Sequence, residues 1–245
     1  MSTSNLPDFW VFGDIEKRKA NAQRVLKPVF NILGVPASFL DIGGGAGSWC
    51  AAAKDLGVQR VCLVDACPPN QVIPELSQEE QVQANLEAGI PNQGRFDLVI
   101  CIEVIEHLSD DAADRLIGQM TSSTNFILFS AAIPGQGGIG HISERLHDYW
   151  HAKFSLFQFE KYDVVRPMLI SSPDIASIHR QNLFLYAKKG CAHSLADLPQ
   201  ICEDMELIRA EHLKSLYNKE PIDLRTALGA IPNALRRSIG RRVGN

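Results

Sequence analysis

The chain has 245 residues, of which 45% are hydrophobic and 21% charged, with a formal net charge of −4. That length suits one α/β domain with additions, and it buries a sizeable core without disulfide or metal staples. The mild acidity supplies no global basic face, so no nucleic-acid partner is expected.

Cys50, Cys62, Cys67, Cys101, Cys191 and Cys202 are scattered, with no C-x-x-C pair. At this length and composition no disulfide framework is expected. Four of the six lie in stretches that read as buried, where cysteine acts as a small apolar residue. The first ten residues have neither a basic nor an apolar leader region, which predicts no secretory signal. No uncharged apolar run approaches the ~18 residues of a membrane span. A soluble cytoplasmic protein is expected.

Asp14 to Leu33 reads as a helix, because Ile15, Ala22, Val25, Leu26, Val29, Phe30 and Leu33 form one stripe. Pro28 predicts a kink or break within it, and Gly34 with Pro36 marks its end. Alternation follows. Ser38–Ile42 is an apolar run into glycines, Ser48–Gly57 is helical, and Val61–Val64 is a second apolar run ending at Asp65. Gln81–Leu86 reads as a third strand, Phe96–Ile102 as a fourth, Asp110–Met120 as a helix and Asn125–Ala132 as a fifth strand. Near-continuous apolar strands separated by helices predict a doubly wound, Rossmann-like α/β fold whose parallel sheet is covered on both faces.

Beyond Ala132 the pattern changes. Pro134–Gly140 is a glycine-rich loop, His147–Tyr162 an aromatic helix, and Tyr162–Ile170 and Asn182–Lys188 two further strands. From about residue 190 the chain reads as an amphipathic helical extension (Leu198, Ile201, Met205, Ile208, Leu213, Leu216). The expected organisation is an N-terminal helical segment over 1–37, a main domain over 38–190 and the extension over 191–245. The basic stretch Leu235–Arg242 reads first as a solvated tail. A membrane-surface contact or a phosphate-bearing substrate is its functional reading.

The strongest chemical signal is Phe39-Leu40-Asp41-Ile42-Gly43-Gly44-Gly45-Ala46-Gly47-Ser48. Glycines after a strand let the backbone turn sharply and let a ligand lie against it. The helix that opens next presents free N–H groups. Open α/β sheets bind nucleotides at such bends. The dinucleotide fingerprint G-x-G-x-x-G needs a third glycine where Ser48 stands, whereas D-x-G-x-G-x-G fits Asp41, Gly43, Gly45 and Gly47. Asp41 would repel a pyrophosphate and suits the cationic amino group of an aminoacyl moiety, which favours S-adenosylmethionine. Asp65, about twenty residues on, is placed to accept ribose hydroxyls. A nicotinamide oxidoreductase is disfavoured by Ser48 and by the lack of a Tyr-x-x-x-Lys pair.

Asp41–Gly47, Asp65, Phe96-Asp97-Leu98-Val99 and Glu103-Val104-Ile105-Glu106-His107-Leu108 together resemble the motifs of class I S-adenosylmethionine-dependent methyltransferases. The resemblance covers about residues 38 to 190. It implies a mostly parallel seven-stranded sheet with an antiparallel last strand, and a cofactor held by Asp41, Gly43, Gly45, Gly47, Asp65, Asn85 and Glu103. Asn85 departs from the acid usual at that position.

Gly135-Gln136-Gly137-Gly138-Ile139-Gly140-His141-Ile142-Ser143, Tyr149-Trp150 and Arg180-Gln181-Asn182-Leu183 are similar to a bacterial subgroup. That subgroup carries G-Q-G-G-x-x-H-x-N, Y-W-x-x-x-F and R-Q-N-L elements, with Asn often where Ser143 stands. Its members accompany glycan or small-molecule biosynthesis. The resemblance thus implies methyl transfer to an oxygen or nitrogen of a small molecule, a sugar or another biosynthetic intermediate. His141, in the loop after the fifth strand, is the candidate general base. Tyr149 and Trp150 read as core before they read as an acceptor wall.

Glu103, Glu106 and His107, with His141 as a fourth ligand, suggest a metal, and hard oxygens with histidine would suit Mg²⁺ or Mn²⁺. That arrangement would favour an RNA or protein substrate. The E-x-x-E-H pattern recurs in class I enzymes for which no metal is implied, and none is expected here. A non-catalytic partner protein of the same fold is the remaining alternative, against which the intact Asp41, Gly43, Gly45, Gly47 and Asp65 argue.

Overall fold

The computed structural model describes residues 14–191. All of the expected C-terminal extension but Cys191 lies outside the described residues, as do the basic stretch and residues 1–13.

Helix α1 (Ile15–Leu33) begins where the Asp14 side chain accepts from the Lys17 N–H, and continues through Pro28. Its buried stripe of Ala22, Val25, Leu26, Val29 and Phe30 packs against α2 (Ser48–Asp55). The remaining elements follow in chain order. These are β1 (Ser38–Ile42), β2 (Arg60–Asp65), β3 (Gln81–Gln83), β4 (Leu98–Ile102), α3 (Asp110–Ser123) and β5 (Phe126–Ser130). Then come α4 (His147–Ser155), β6 (Phe159–Tyr162), α5 (Arg166–Leu169), α6 (Ser177–Asn182) and β7 (Phe184–Lys188).

The seven strands form one sheet in the order β3-β2-β1-β4-β5-β7-β6. β1 to β5 pair in parallel, and β7 runs antiparallel to both of its neighbours. This is the expected α/β sheet with an antiparallel last strand. Alternate residues of the central strands enter different cores. Phe39, Leu63, Ile100 and Leu128 join α1 and α2 on one face. Leu40, Val64, Cys101 and Phe129 join α3 and α4 on the other. Burial on both faces explains the near-continuous apolar runs. Parallel order also brings the ends of β1, β2, β4 and β5 to one edge, where open sheets build their sites. Cys50, Cys62, Cys67 and Cys101 are buried thiols. No helix among the described residues is long and apolar enough to cross a membrane.

Four expectations need correction. The aromatic helix stops at Ser155, and Phe159–Tyr162, read as its last turn, is edge strand β6. Gln158 takes a left-handed φ of 62° between the two, which ends the helical hydrogen-bonding pattern. No strand spans Tyr162–Ile170. Arg166 instead folds back on Asp163 and donates to the Gln181 carbonyl, opening α5 with Pro167 in its first turn. Arg180-Gln181-Asn182 closes α6 before the strand at Phe184 begins. The third strand ends at Gln83, because the Asn85 side chain accepts from the Glu87 N–H and starts a 3₁₀ turn.

His147, 6% exposed at the start of α4, lies edge-on to Phe184 with its Nε2 3.4 Å from Asn182 Oδ1. Burial, then the Arg166 charge, pushes its pKa down to about 3. The unfolded chain therefore binds this proton first. The stability contributed by the neutral ring is complete above the ordinary histidine pKa and is lost as pH falls towards 3. His147→Gln should lose less stability than the native chain between pH 6 and pH 4, the gap growing by up to about 1.4 kcal/mol per pH unit. Urea denaturation at stepped pH measures this; parallel curves would show that His147 is not kept neutral by the fold.

Candidate active site

The bend after β1 is shaped by two carboxylates. Asp41 is 2% exposed, and burial with the nearby Asp65 charge raises its pKa well above the carboxylate range. Its Oδ2 meets the Cys50 thiol at 4.0 Å. A Cβ on Gly44 would overlap this carboxylate, so the position admits only glycine without rearrangement. Gly43 turns with φ 78°, and a Cβ there would strike Val104. Asp65, ending β2, accepts from the Gly45 N–H at 2.8 Å and the Cys67 N–H at 2.6 Å. Burial raises the Asp65 pKa against the pull of those amides. Gly47, with φ 91°, caps the start of α2. Asn85 is exposed beyond β3, its oxygen engaged by its own turn.

A second cluster grows from the ends of β4 and β5. Glu103 follows β4 with a positive φ of 55°, rare for a side-chain-bearing residue and typical of functional turns. Its N–H donates to Ser130, at the end of β5. Its carboxylate accepts from Gln136 Nε2 at 2.6 Å and from Asn182 Nδ2 at 3.2 Å, and Asn182 also donates to Gln136 Oε1. Burial raises its pKa against those bonds.

Glu144 organises the glycine-rich loop. It accepts from the Gly135 and Gly137 N–H groups and from the His141 ring at Nδ1. Burial opposes its ionisation, but these partners outweigh it and hold its pKa below the usual value. An ionised carboxylate only accepts, so Nδ1–H is the donor to Glu144, which selects the tautomer whose lone pair lies at Nε2. Gly138 leaves room for the ring, which a Cβ would overlap.

Beyond His141 the Ile142 and Ser143 N–H groups both donate to the Glu106 carbonyl, pinning the loop over the 3₁₀ turn Ile105–His107. His141 Nε2 then faces Glu106 Oε1 at 3.9 Å, and its ring stands edge-on to His107 at 4.7 Å. Glu106 is 0% exposed, and burial followed by the Glu103 charge pushes its pKa up to about 8.

The structure thus gathers Asp41, Gly43, Gly45, Gly47 and Asp65 around one bend, and Glu103 and His141 around the neighbouring loop. Trp150 packs in the core against Phe129, as expected, while Tyr149 is half-buried beneath Arg145 and Lys153. Gly44, Glu144 and Asn182 carry site geometry without having been singled out by their own chemistry. The triple glycine and the resemblance over Arg180–Leu183 pointed to two of them; nothing marked Glu144.

A family model described as a methyltransferase domain matches residues 15–155, and the chain belongs to that family. Magnesium protoporphyrin IX methyltransferase of Synechocystis PCC 6803, solved with bound SAH, superposes with a TM-score of 0.50 at 15% identity, over 72% of this chain and 88% of that one. Human N-acetylserotonin methyltransferase, solved with SAM, gives 0.47 at 18% identity, over 69% and 51%. Mitomycin 7-O-methyltransferase gives 0.48 at 15% identity, over 69% and 53%. The chain thus spans about half the length of the latter two, and at these identities the likeness is one of fold. No curated protein matches the sequence.

Gly44→Ala tests the contact that fixes the bend. Forcing a methyl against a buried carboxylate should destabilise the protein by about 1–3 kcal/mol in urea denaturation. An unchanged midpoint would mean that Asp41 moves aside freely.

Proposed function

We propose that the protein transfers a methyl group from S-adenosylmethionine to an oxygen or nitrogen of a small molecule. The observation that carries this reading is the pairing of Asp41 and Asp65 across a bare-backbone bend. Two carboxylates in one cavity repel a diphosphate, whereas a buried carboxylate such as Asp41 is costly without a compensating cation. A ligand with an ammonium group, a sulfonium and a ribose fits both acids. When bound, S-adenosylmethionine supplies an electrophilic methyl on a good leaving group, so alignment and exclusion of water contribute much of the catalysis.

In this reading Asp41 faces the cationic aminoacyl end, and the turn at Gly43, Gly45 and Gly47 lets the ligand approach the backbone. Asp65 accepts from the ribose hydroxyls, Asn85 lies on the adenine side, and Glu103 completes the wall after β4. His141 Nε2, its ring steadied by Glu144, takes the acceptor proton as the new bond to the methyl carbon forms. Exposed Ile139 and Ile142 flank it with apolar surface suited to a small organic acceptor. Membership in a bacterial biosynthetic subgroup and a cytoplasmic location belong to the same proposal.

Calorimetry with S-adenosylhomocysteine and with NAD separates the cofactor readings: the former should bind and the latter should not. Asp65→Ala should weaken S-adenosylhomocysteine by about 1–3 kcal/mol. Binding of NAD alone would overturn the proposal, and an unchanged affinity in the variant would remove Asp65 from the ribose. His141→Ala should slow turnover by roughly a hundredfold or more while keeping cofactor affinity; retained turnover would make it a bystander.

A further inference from the structure

We infer that Glu106, His107 and His141 form a binding site for one first-row divalent cation, of the Mn²⁺, Co²⁺ or Zn²⁺ class. Sequence reasoning sets a metal aside and, where it considers one, counts Glu103 among the ligands. The structure changes that ligand set. Both Glu103 oxygens are taken by the Gln136 and Asn182 amides. One ligand atom from each of Glu106, His107 and His141, by contrast, lies within 4.8 Å of the other two.

Three features point to a cation. Glu106 is 0% exposed, yet no side chain donates to its carboxylate, which the Glu106 and Ala132 backbone N–H groups approach only loosely. A carboxylate left so is expensive unless it is paired or coordinates a metal. His141 has its Nδ1 bonded to the Glu144 carboxylate while its other nitrogen faces Glu106. Metal-binding imidazoles are held in this way, with the outer nitrogen on a carboxylate that fixes the tautomer and raises basicity. His107 is oriented by a hydrogen bond with the Gly140 backbone, beside the His141 ring.

Two imidazoles with one carboxylate suit softer first-row ions and disfavour Mg²⁺ or Ca²⁺, which select oxygen. Ligands stand about 2.0–2.2 Å from such an ion, so the triad must draw together slightly, which a small shift of the loop-borne His141 achieves. Three protein ligands leave a position for water or an acceptor oxygen. The site deepens the acceptor half of the proposed function and rests on that reading only for the acceptor's role. With the ion bound, His141 would serve as ligand in place of base, and the ion would lower the pKa of a coordinated acceptor hydroxyl, whose proton would pass to water.

The test is equilibrium dialysis of untagged, chelator-stripped protein against Mn²⁺, Co²⁺ and Zn²⁺ separately, with Mg²⁺ as the contrast. One ion per chain should bind, Co²⁺ giving visible d–d absorption and Mg²⁺ binding far more weakly. Glu106→Gln and His141→Ala should each weaken uptake at least about tenfold, and Glu144→Gln should weaken it about 10- to 100-fold. Glu103→Gln should keep stoichiometric uptake. Circular dichroism confirms that each variant folds, and the loop position of His141 keeps that variant informative if Glu106→Gln does not. Absence of uptake of all three ions overturns the inference, as does uptake that survives both His141→Ala and Glu106→Gln. S-adenosylhomocysteine calorimetry on the same samples separates the two proposals: cation uptake without cofactor binding upholds this site and sinks the methyl-transfer reading.

Discussion

Asp41 and Asp65 meet at the carboxyl ends of two adjacent parallel strands, and the bend between them takes its form from their charge. Asp41 is buried against Gly44, whose missing side chain is the space its carboxylate occupies. Asp65 reaches across and takes the Gly45 N–H. Gly44 is thus demanded by the protein's own acid, and Gly43 and Gly47 by the side chains of Val104 and Leu76, before any ligand enters. Burying two like charges side by side is costly, and a fold retains such an arrangement where a ligand offsets it. The register of β1 on β2, with Asp41 opposite Leu63 and Ile42 opposite Val64, carries Asp65 two positions further towards the edge than Asp41, level with the first glycine of the bend.

The neighbouring loop is built on the opposite plan, with every strong acceptor satisfied from within. Glu144 ties two loop amides and one imidazole into a single unit. Gln136 and Asn182 close on Glu103, joining the loop, the end of α6 and the end of β4. Ser143, where the resembling subgroup often has asparagine, donates to Asp110 Oδ1 at the start of α3. Against this background Glu106 stands out as the acid in the cluster to which no side chain donates.

The central strands were legible because both of their faces are covered, so their apolar runs needed no partner to be recognised. β1 was read at its observed bounds, and α1 and α3 to within a few residues. The C-terminal part was harder. β6 is an edge strand buried at its two ends, Phe159 in one core and Tyr162 in the other with Glu160 turned out between them, and that three-residue spacing imitates a helical stripe continuing from Trp150 and Phe154. Arg166 and Asp163 were invisible as a pair because their burial is satisfied only by the fold-back that brings them together. In the site, residues whose roles follow from local spacing (Asp41, the glycines, Asp65) could be found in sequence. Glu144 could not, since its three partners meet it only once the loop has closed.

The turn after β4 shows how two acids three residues apart in one motif come to have different partners. Glu103 and Glu106 lie three residues apart, and in a regular helix they would project from the same face. The left-handed φ at Glu103 breaks that regularity. It sends Glu103 towards the amides of Gln136 and Asn182, while the 3₁₀ turn that follows carries Glu106 inward, beneath His141. A strained backbone of this kind is maintained only where surrounding contacts over-determine it, and here the N–H of Glu103 is fixed by Ser130 at the end of β5. One unusual dihedral therefore separates a pair of carboxyl groups into a structural clamp and a buried acid that no side chain satisfies, and it is the second that gives this edge of the sheet its capacity for further chemistry.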